Sequence, residues 1–336
     1  MDTSSGGAAH SMDPAPTPLN ADTAALLDPA RWSRVTGPGD PSAAPPLGGQ
    51  PVASPRVARP GTWITDTGWG DGDRATLRQV LNGRYDVFAR VVTRTLAEEP
   101  GLRATGSPAE LVPELVALCA YHAGERNQVN KVLRTGSGLG ADDRATILAR
   151  GALRGLRRLP AVHGPVFAAG HDAEAVVSAY RAGDELVEPA FVDVDISGGR
   201  SPEAPVEYVI WSVSAHRLGR FGSGAPGGAV FVPGSRFAVL AIDPPDGGRE
   251  PLRVLLRDRA GARPGRAASD ARLLDRLRGA VPEGRGDRPV CHLGFAPGLD
   301  EHGRRYAPPP ADVGHRHGVS QPEGYASGAR GVGFAG

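Results

Sequence analysis

The stretch LRRLPAVHGPVFAAG, residues Leu156–Gly170, marks the point at which the pattern of the sequence changes. Before Pro160, apolar residues recur at the spacing of one face of an α-helix. After it, they alternate with a period of about two, which is typical of β-strands. Proline also disfavours a helical conformation in the residue before it, so a helix is expected to end here. The sequence therefore predicts helices first and strands afterwards, which is an α+β fold.

Helical periodicity precedes this point in several segments. Ser107-Pro-Ala-Glu110 has the pattern of a capping box with proline at the first helical position, which predicts the start of a helix. Asp142 or Asp143 can cap a later helix, and Gly83 is expected as a break in the first one. The predicted helices are Asp73–Glu98, the helix behind Ser107, a helix from about Glu125 to Arg134, and the helix behind Asp142 or Asp143.

Short apolar runs follow Pro160, separated by glycine, proline or acidic residues. Their alternation predicts a largely antiparallel, split β-sheet region with one short helix after the first strand. The short helix is Glu174–Tyr180, and the predicted strands are Gly164–Gly170, Leu186–Val187, Ala190–Ile196, Glu207–Ser214, Val230–Val232, Arg236–Ile242 and Leu252–Leu256.

Glycine and proline, 47 and 32 of the 336 residues, crowd both ends of the chain. Segments of that composition bury too little apolar surface to offset the entropy of ordering. Residues 1–60 and most of residues 259–336 are therefore expected to be disordered, apart from a short helix at Ala271–Leu277. One folded domain, residues 61–258, remains, and its size is ordinary.

Charge and cysteine content narrow the class of protein. A net charge of +1 creates no field that would recruit nucleic acid or an anionic membrane, so neither is expected as a partner. Cys119 and Cys291 make no disulfide framework, and Cys119 lies on an apolar helical face, where a buried small hydrophobe is expected. The sequence contains no pattern of a signal peptide or membrane span, which predicts a cytoplasmic protein and leaves secretion without a cleaved signal open.

Four segments occur in an order that resembles one known family. YHAGERNQVNKVLR (Tyr121–Arg134) resembles a family helix with a tyrosine, a spaced asparagine and a terminal Leu-Arg. The stretch Leu156–Gly170 resembles the strand that presents the family's arginine. AYRAGDELVEPAFVDVD (Ala179–Asp195) resembles its Ser-Thr-Ser segment, and VFVPGSRFAVLAI (Val230–Ile242) resembles the strand pair after its glutamate. The chain between Leu111 and Asp243 is thus similar to mono-ADP-ribosyltransferases of the Arg-Ser-Glu type, which implies an ADP-ribosyltransferase-like fold.

The resemblance also implies a chemistry that depends on NAD. In that family an arginine holds the NAD phosphates as a planar, charge-assisted fork. The first serine supports the ribose, and a glutamate stabilises the oxocarbenium-like state as nicotinamide leaves. A second Glu or Gln, two residues before that glutamate, positions an arginine acceptor.

The matching positions of this chain lack the required side chains. The arginine position is Ala168, the two serines match Asp193 and Asp195, the glutamate position is Ala229, and the residue two before it is Gly227. Losing the phosphate contact removes about 1.5–3 kcal/mol of binding. Two aspartates facing the cleft would also repel a pyrophosphate. The resemblance therefore implies a degenerate member of the family, and no cofactor is expected.

Two other residues are candidates to substitute for the missing ones. Glu188 is a candidate acid, and the alternative interpretation is a solvated loop carboxylate. Arg181 is a candidate phosphate clamp, and the alternative is a cation that caps the preceding helix.

Asp193 and Asp195 share one face of a strand because they lie two residues apart. They are either a site for a divalent metal or a cationic ligand, or a solvated strand end. Two carboxylates are fewer than a metal site needs, and the cysteine and histidine spacings match no zinc pattern, so no metal is expected. The residues expected around a bound cofactor are Phe167, Phe191, Asp193 and Asp195.

Three functional hypotheses follow. In the first, the protein is non-catalytic and binds an unidentified protein partner or small ligand through the former NAD cleft. The second is an active, NAD-dependent mono-ADP-ribosyltransferase, a glycosyltransferase acting on a protein, that uses non-family residues such as Glu188 with Arg181. The third is a metal-dependent site on the two aspartates. The first hypothesis predicts an apolar cleft lined by Phe167, Phe191, Ala229 and Phe231.

Overall fold

A computed structural model describes residues 57–61, 63–64, 69–135, 144–198, 203–222, 227–245, 251–260, 267–281 and 291–308. Disorder is predicted for residues 1–60, of which only the last four belong to the described residues. Residues 309–336 of the predicted disordered tail also lie outside the described residues. Helices fill the first half of the described chain and strands the second. The predicted α+β class is therefore confirmed.

The helices before the first strand are joined by short connections. A π-helical turn, Tyr121–Glu125, contains Gly124 at a φ of 138°, a conformation that glycine adopts readily. The helices are α1 (Asp71–Leu81), α2 (Gly83–Glu98), α3 (Pro100–Arg103), α4 (Pro108–Ala120), α5 (Arg126–Thr135) and α6 (Arg144–Arg157).

The predicted helix signals near α1 and α4 are present. The break lies at Asn82, whose φ is 47°, and Gly83 begins the next helix. Asparagine is among the few residues other than glycine that adopt this region. At the start of α4, the Ser107 backbone N–H donates to Glu110 Oε2 at 3.4 Å, so the capping box is confirmed. The cap predicted at Asp142 or Asp143 lies outside the described residues.

Helices α4 and α6 form the centre of the helical core. Gly155 lies against α4 so closely that a Cβ atom there would be 2.6 Å from the Glu114 carbonyl oxygen. Cys119 lies in this core, and burial raises the pKa of its thiol to about 12, as expected for a buried small hydrophobe. Cys119 and Cys291 are both free thiols. Among the described residues, no helix combines the length and apolarity that crossing a bilayer requires.

All seven predicted strands are present, and an eighth follows them. Helix α7 (Ala173–Ala179) lies between the first two strands, and helix α8 (Ala267–Gly279) precedes the last. The strands are β1 (Ala161–Gly170), β2 (Glu185–Glu188), β3 (Val192–Asp195), β4 (Val206–Arg217), β5 (Gly228–Phe231), β6 (Ser235–Asp243), β7 (Leu252–Asp258) and β8 (His292–Leu293).

The strands form one hydrogen-bonded sheet in the order β2-β6-β7-β4-β5-β3-β1-β8. Neighbours are antiparallel except for β4 with β7 and β1 with β8, which are parallel. β1 also pairs with β4, so that β1, β4, β5 and β3 close into a ring. One face of these strands packs with α7 into a second apolar core, and the opposite face of β5 meets the helical core.

Residues 291–308, here called the C-terminal strap, differ from the predicted disordered tail. Leu293, Leu299 and Tyr306 are each at most 6% exposed, and β8 pairs with the end of β1. Ala58 pairs with Tyr306, so the folded unit extends beyond both predicted boundaries, 61 and 258. The apolar residues of the strap are isolated among glycines, prolines and charged residues, and composition alone therefore does not reveal them. Helix α8 confirms the helix predicted at Ala271–Leu277.

Candidate functional site

A cavity of about 560 Å³ lies between α5, the start of α7 and the C-terminal strap. Most of its lining side chains are polar or charged. Helix α5 contributes Arg126, Asn127, Asn130, Lys131, Arg134 and Thr135. The strap contributes His292, Leu293, Gly294, Phe295, Ala296, Asp300, Glu301, Arg304 and Tyr306, and the remaining lining residues are Arg59, His171, Asp172, Ala175, Phe191 and Asp193.

The apolar cleft predicted from the resemblance is not formed. Of its four residues only Phe191 lines the cavity. Ala229 and Phe231 belong to the apolar core on the other face of β5, and Phe167 packs beside Leu277 of α8. The physical reason is that successive side chains of a strand point to opposite faces, so these four cannot converge.

Asn130 holds the end of the segment between β2 and β3. Its side-chain NH₂ donates to the Phe191 carbonyl at 3.3 Å, and its oxygen accepts from the Phe191 backbone N–H at 3.3 Å. The Tyr121 hydroxyl lies 3.4 Å from the Asn130 side-chain oxygen and 3.4 Å from Asp193 Oδ2. Tyr121 and Asn130, the tyrosine and asparagine of the segment that resembles the family helix, therefore position Phe191 and Asp193 in the cavity lining.

Arg134 forms a buried ion pair with Glu188. Arg134 Nη1 lies 2.6 Å from both carboxylate oxygens, and the pair is at most 9% exposed. The carboxylate also accepts from the backbone N–H groups of Ala190 and Gly298, at 2.9 and 2.8 Å. Burial, the largest single influence, lowers the pKa of the guanidinium, but the charge and hydrogen bond of Glu188, together with Tyr306 and Tyr180, outweigh burial and raise this pKa. Glu188 is thus not the solvated loop carboxylate of the alternative interpretation.

Arg181 lies apart from this pair. Its guanidinium donates to the carbonyls of Val177 and Tyr180, at 3.0 and 2.6 Å, at the end of α7. This is the geometry of a cation that caps a helix. The structure therefore does not bring Arg181 and Glu188 together.

Asp193 is buried at the inner wall of the cavity. His122 Nδ1 lies 3.7 Å from one carboxylate oxygen and Arg126 Nη1 lies 3.8 Å from the other. Burial raises the pKa of Asp193 to about 6, although Arg126 opposes the rise. Burial and the Arg126 charge lower the pKa of His122 to about 4. Near neutral pH His122 is therefore a neutral imidazole, and Asp193 is mostly ionised but keeps its proton to a higher pH than an exposed aspartate does.

Asp195 shares the strand but not the cavity. It accepts from the Ser197 backbone N–H at 2.7 Å and from the Ser197 hydroxyl. Asp193 and Asp195 are 6% and 4% exposed, so the interpretation as a solvated strand end is wrong. Within the part of the chain that the structure describes, no group of three or more His, Cys, Asp or Glu residues could hold a metal ion.

The triad positions do not face one another. Ala168 and Ala229 point into the apolar core, with Val194 beside Ala229 in the ladder, whereas Asp193 points to the opposite face. At Gly227, a Cβ atom would lie 2.7 Å from Ser197 Oγ and 2.9 Å from Asp195 Oδ1. A longer side chain at that position would displace both groups.

Several residues of the cavity have roles that the sequence pattern does not predict. His171 and His292 stack at its edge, with ring centroids 5.2 Å apart and an interplanar angle of 13°. They are brought together by the parallel pairing of β8 with β1, which has no local signal. A sequence signal for buried polar anchors does exist. Asn130 and Arg134 lie one helical turn apart among buried apolar residues, and this spacing could have indicated their role.

The chain matches no protein-family model, and no curated protein is significantly similar to it in sequence. Solved structures that resemble it in fold include the type III effector XopAI from Xanthomonas axonopodis pv. citri, at 19% identity and a TM-score of 0.48, covering 56% of this chain and 83% of that one. The ADP-ribosyltransferase HopU1 of Pseudomonas syringae pv. Tomato DC3000 is similar at 16% identity and a TM-score of 0.46, and the match covers 58% of this chain and 98% of the other.

Exoenzyme S from Pseudomonas aeruginosa, solved with human 14-3-3 protein beta and carba-NAD, gives 16% identity and a TM-score of 0.44, covering 61% of this chain and 98% of that one. HopU1 is thus an ADP-ribosyltransferase, a member of the family that the sequence resembles. Each identity is below 25%, so the likeness concerns the fold alone.

Proposed function

We propose that this protein binds a ligand or partner through the cavity between α5 and the C-terminal strap, and that it does not transfer ADP-ribose. The resemblance of the sequence suggests an ADP-ribosyltransferase ancestry. The observation that carries the proposal is the composition of β1 and β5 on the face that carries Asp193. Phe167 and Ala169 of β1 and Gly228 and Val230 of β5 occupy that face. None of them supplies a guanidinium for phosphates or a carboxylate for a reacting ribose.

The charged groups near the cavity support the same proposal. Both oxygens of Glu188 are held by Arg134 and by two backbone N–H groups, so this carboxylate cannot turn toward a ligand without leaving a buried arginine unpaired. A catalytic acid or base must lie within hydrogen-bond reach of the group that reacts. Arg181 does not line the cavity.

Asp193 favours a second candidate function, an active mono-ADP-ribosyltransferase that uses non-family residues. Its carboxylate lines the cavity, and its pKa of about 6 lies near the range in which a carboxyl group exchanges protons at neutral pH. In this candidate Asp193, rather than Glu188, contacts the ribose of NAD.

The two candidates differ in their response to NAD. A ligand that binds the native state at 100 times its Kd stabilises it by about 2.7 kcal/mol. We expect millimolar NAD to yield no nicotinamide above the protein-free rate, whether or not NAD itself binds and raises the unfolding temperature of the full chain. The second candidate would be established instead if NAD raised the unfolding temperature and nicotinamide were released. Asp193→Asn should then abolish this release, whereas the exposed control Asp86→Asn should retain it.

A further inference from the structure

We infer that the ligand of this cavity is a small organic phosphate whose phosphate group lies between Arg126 and Lys131. The inference rests on the proposed function, because it names the ligand of the same cavity.

The arginine and lysine side chains that line the cavity, Arg59, Arg126, Lys131, Arg134 and Arg304, differ in whether an acid already pairs with them. Arg134 and Arg304 are already paired, with Glu188 at 2.6 Å and with Asp300 at 2.7 Å. Arg126 is 43% exposed and has only the longer contact of 3.8 Å to Asp193. Lys131 is exposed and has no acidic partner within the part of the chain that the structure describes. Two cations of α5 are therefore free to bind an anion.

Among the carboxylates of the cavity, the exposed Glu301 carries one negative charge, which the exposed Arg59 in the same lining matches, and the others do not offset the two α5 cations. Asp300 accepts from the side chain and the backbone N–H of Arg304. Asp172 caps α7 by accepting from the Ala175 backbone N–H at 2.8 Å. Asp193 is buried between His122 and Arg126, at 3.7 and 3.8 Å, and leaves the charges of Lys131 and of the Arg134–Glu188 pair unchanged. The surplus on the α5 wall is positive.

A flat ring surface lines the cavity where β8 pairs with the end of β1. His171 and His292 are both exposed and stacked, and Asn127 adds a side-chain donor on α5. Aromatic rings bind other planar groups by offset stacking. A planar group stacked on the histidine pair and an anion bound by the α5 cations would occupy the same cavity.

A phosphate ester matches this arrangement better than a single carboxylate. It carries close to two negative charges and three accepting oxygens at neutral pH, against the fork of Arg126 and the point charge of Lys131. The cavity of about 560 Å³ has the size of a site for a small molecule. We therefore assign the site to a metabolite-sized phosphate ester with a planar ring.

The test uses the full chain and phenyl phosphate as the probe, at constant ionic strength in a titration calorimeter. We expect saturable binding that weakens about tenfold or more in Arg126→Gln and in Lys131→Gln, since each removes a charge-assisted contact. Arg272→Gln on the exposed side of α8, a matched loss of one positive charge outside the cavity, should bind as the parent does. Absence of saturable binding, or equal binding by all four proteins, overturns the inference.

The histidine pair is tested separately with inorganic pyrophosphate. We expect His171→Ala with His292→Ala to weaken phenyl phosphate severalfold and to leave pyrophosphate binding unchanged. Loss of both probes to the same extent would overturn the assignment of a ring to the histidine wall. Nicotinamide release from NAD would refute the proposed function and leave phosphate binding standing, whereas failure of both probes would refute the phosphate site alone.

Discussion

Asp193 and His122 face each other across 3.7 Å, and burial shifts their pKa values in opposite directions. The charged form is disfavoured for both groups, so the acid becomes weaker and the base becomes harder to protonate. Tyr121 and Arg126 contact the same carboxylate, and the Cys291 thiol lies near enough to be affected by its charge. The pH dependence of stability around this cluster is therefore the sum of opposing contributions.

Asp193→Asn isolates one of these contributions. The pKa of Asp193 is 3.8 in the unfolded chain and about 6 in the folded protein. Between these two pH values the folded protein keeps a proton that the unfolded chain has released. The contribution of Asp193 to the free energy of unfolding therefore falls as the pH rises from about 4 to about 6. Asparagine does not titrate, so the variant should gain about 3 kcal/mol relative to the parent over this interval.

Urea unfolding of both proteins at pH 4, 5, 6 and 7 measures this difference. His122 has the opposite dependence, since its pKa falls from 6.5 to about 4 on folding and its contribution is lost as the pH falls below 6.5. Because His122 lies 3.7 Å from Asp193, the same comparison in a His122→Asn background removes its titration from the difference. Asp86→Asn controls for the removal of one exposed carboxylate. A difference that does not change with pH would contradict the assigned burial of Asp193.

Helix α6 packs against α4 through two glycines. A Cβ atom at Gly151 would lie 2.6 Å from the Ala117 Cβ, and one at Gly155 would lie 2.6 Å from a backbone carbonyl of α4. Glycine is a poor helix former, so its presence twice in the middle of α6 is explained by this close approach.

Gly155→Ala should therefore destabilise the protein in spite of the better helix propensity of alanine. We expect a loss of about 1–3 kcal/mol, because the added methyl group meets backbone atoms that cannot move aside cheaply. Gly72→Ala in α1, where a Cβ atom meets nothing within 4 Å, should be neutral or stabilising by up to about 1 kcal/mol. Chemical denaturation compares the two, and equal changes of either sign would disprove the close approach.

At the scale of the whole molecule, the C-terminal strap joins the two cores and closes the cavity. The guanidinium of Arg134 donates to the Leu299 carbonyl and lies 3.9 Å from the Phe295 ring. The Tyr180 hydroxyl donates to the Pro297 carbonyl, and the Ala307 backbone N–H donates to Ala58 at 2.9 Å. Segments far apart in the sequence thus meet at one ion pair.

Glu188→Ala should destabilise the whole fold, by about 3–5 kcal/mol, because it leaves the buried Arg134 without its counter-charge. The double variant with Arg134→Met should lose clearly less than the sum of the two single variants, since it removes both charges. Hydrogen exchange should become faster first in residues 293–299, which the pair anchors. Additive losses, with unchanged exchange in the strap, would show that the pair does not anchor it.

Much of the fold and a part of the site could be predicted from local patterns. The break near Gly83, the capping box at Ser107 and the change of period at Pro160 are local signals, and each is present in the structure. Phe191 and Asp193 were expected at the site and line the cavity, whereas Phe167 and Asp195 do not. Strand alternation indicates which residues share a face, but it does not indicate which face meets the cavity.

The sequence by itself determined the α+β class, the order of the elements and the lack of a guanidinium on β1 and of a carboxylate on β5. Only the tertiary structure decided that Glu188 is locked by Arg134, that Asp193 is buried beside His122, and that the strap completes a cavity with a positive wall. The physical reason is the range of the interactions. Helix caps and strand periods act over a few residues, whereas ion pairs and burial depend on contacts between residues more than 50 positions apart.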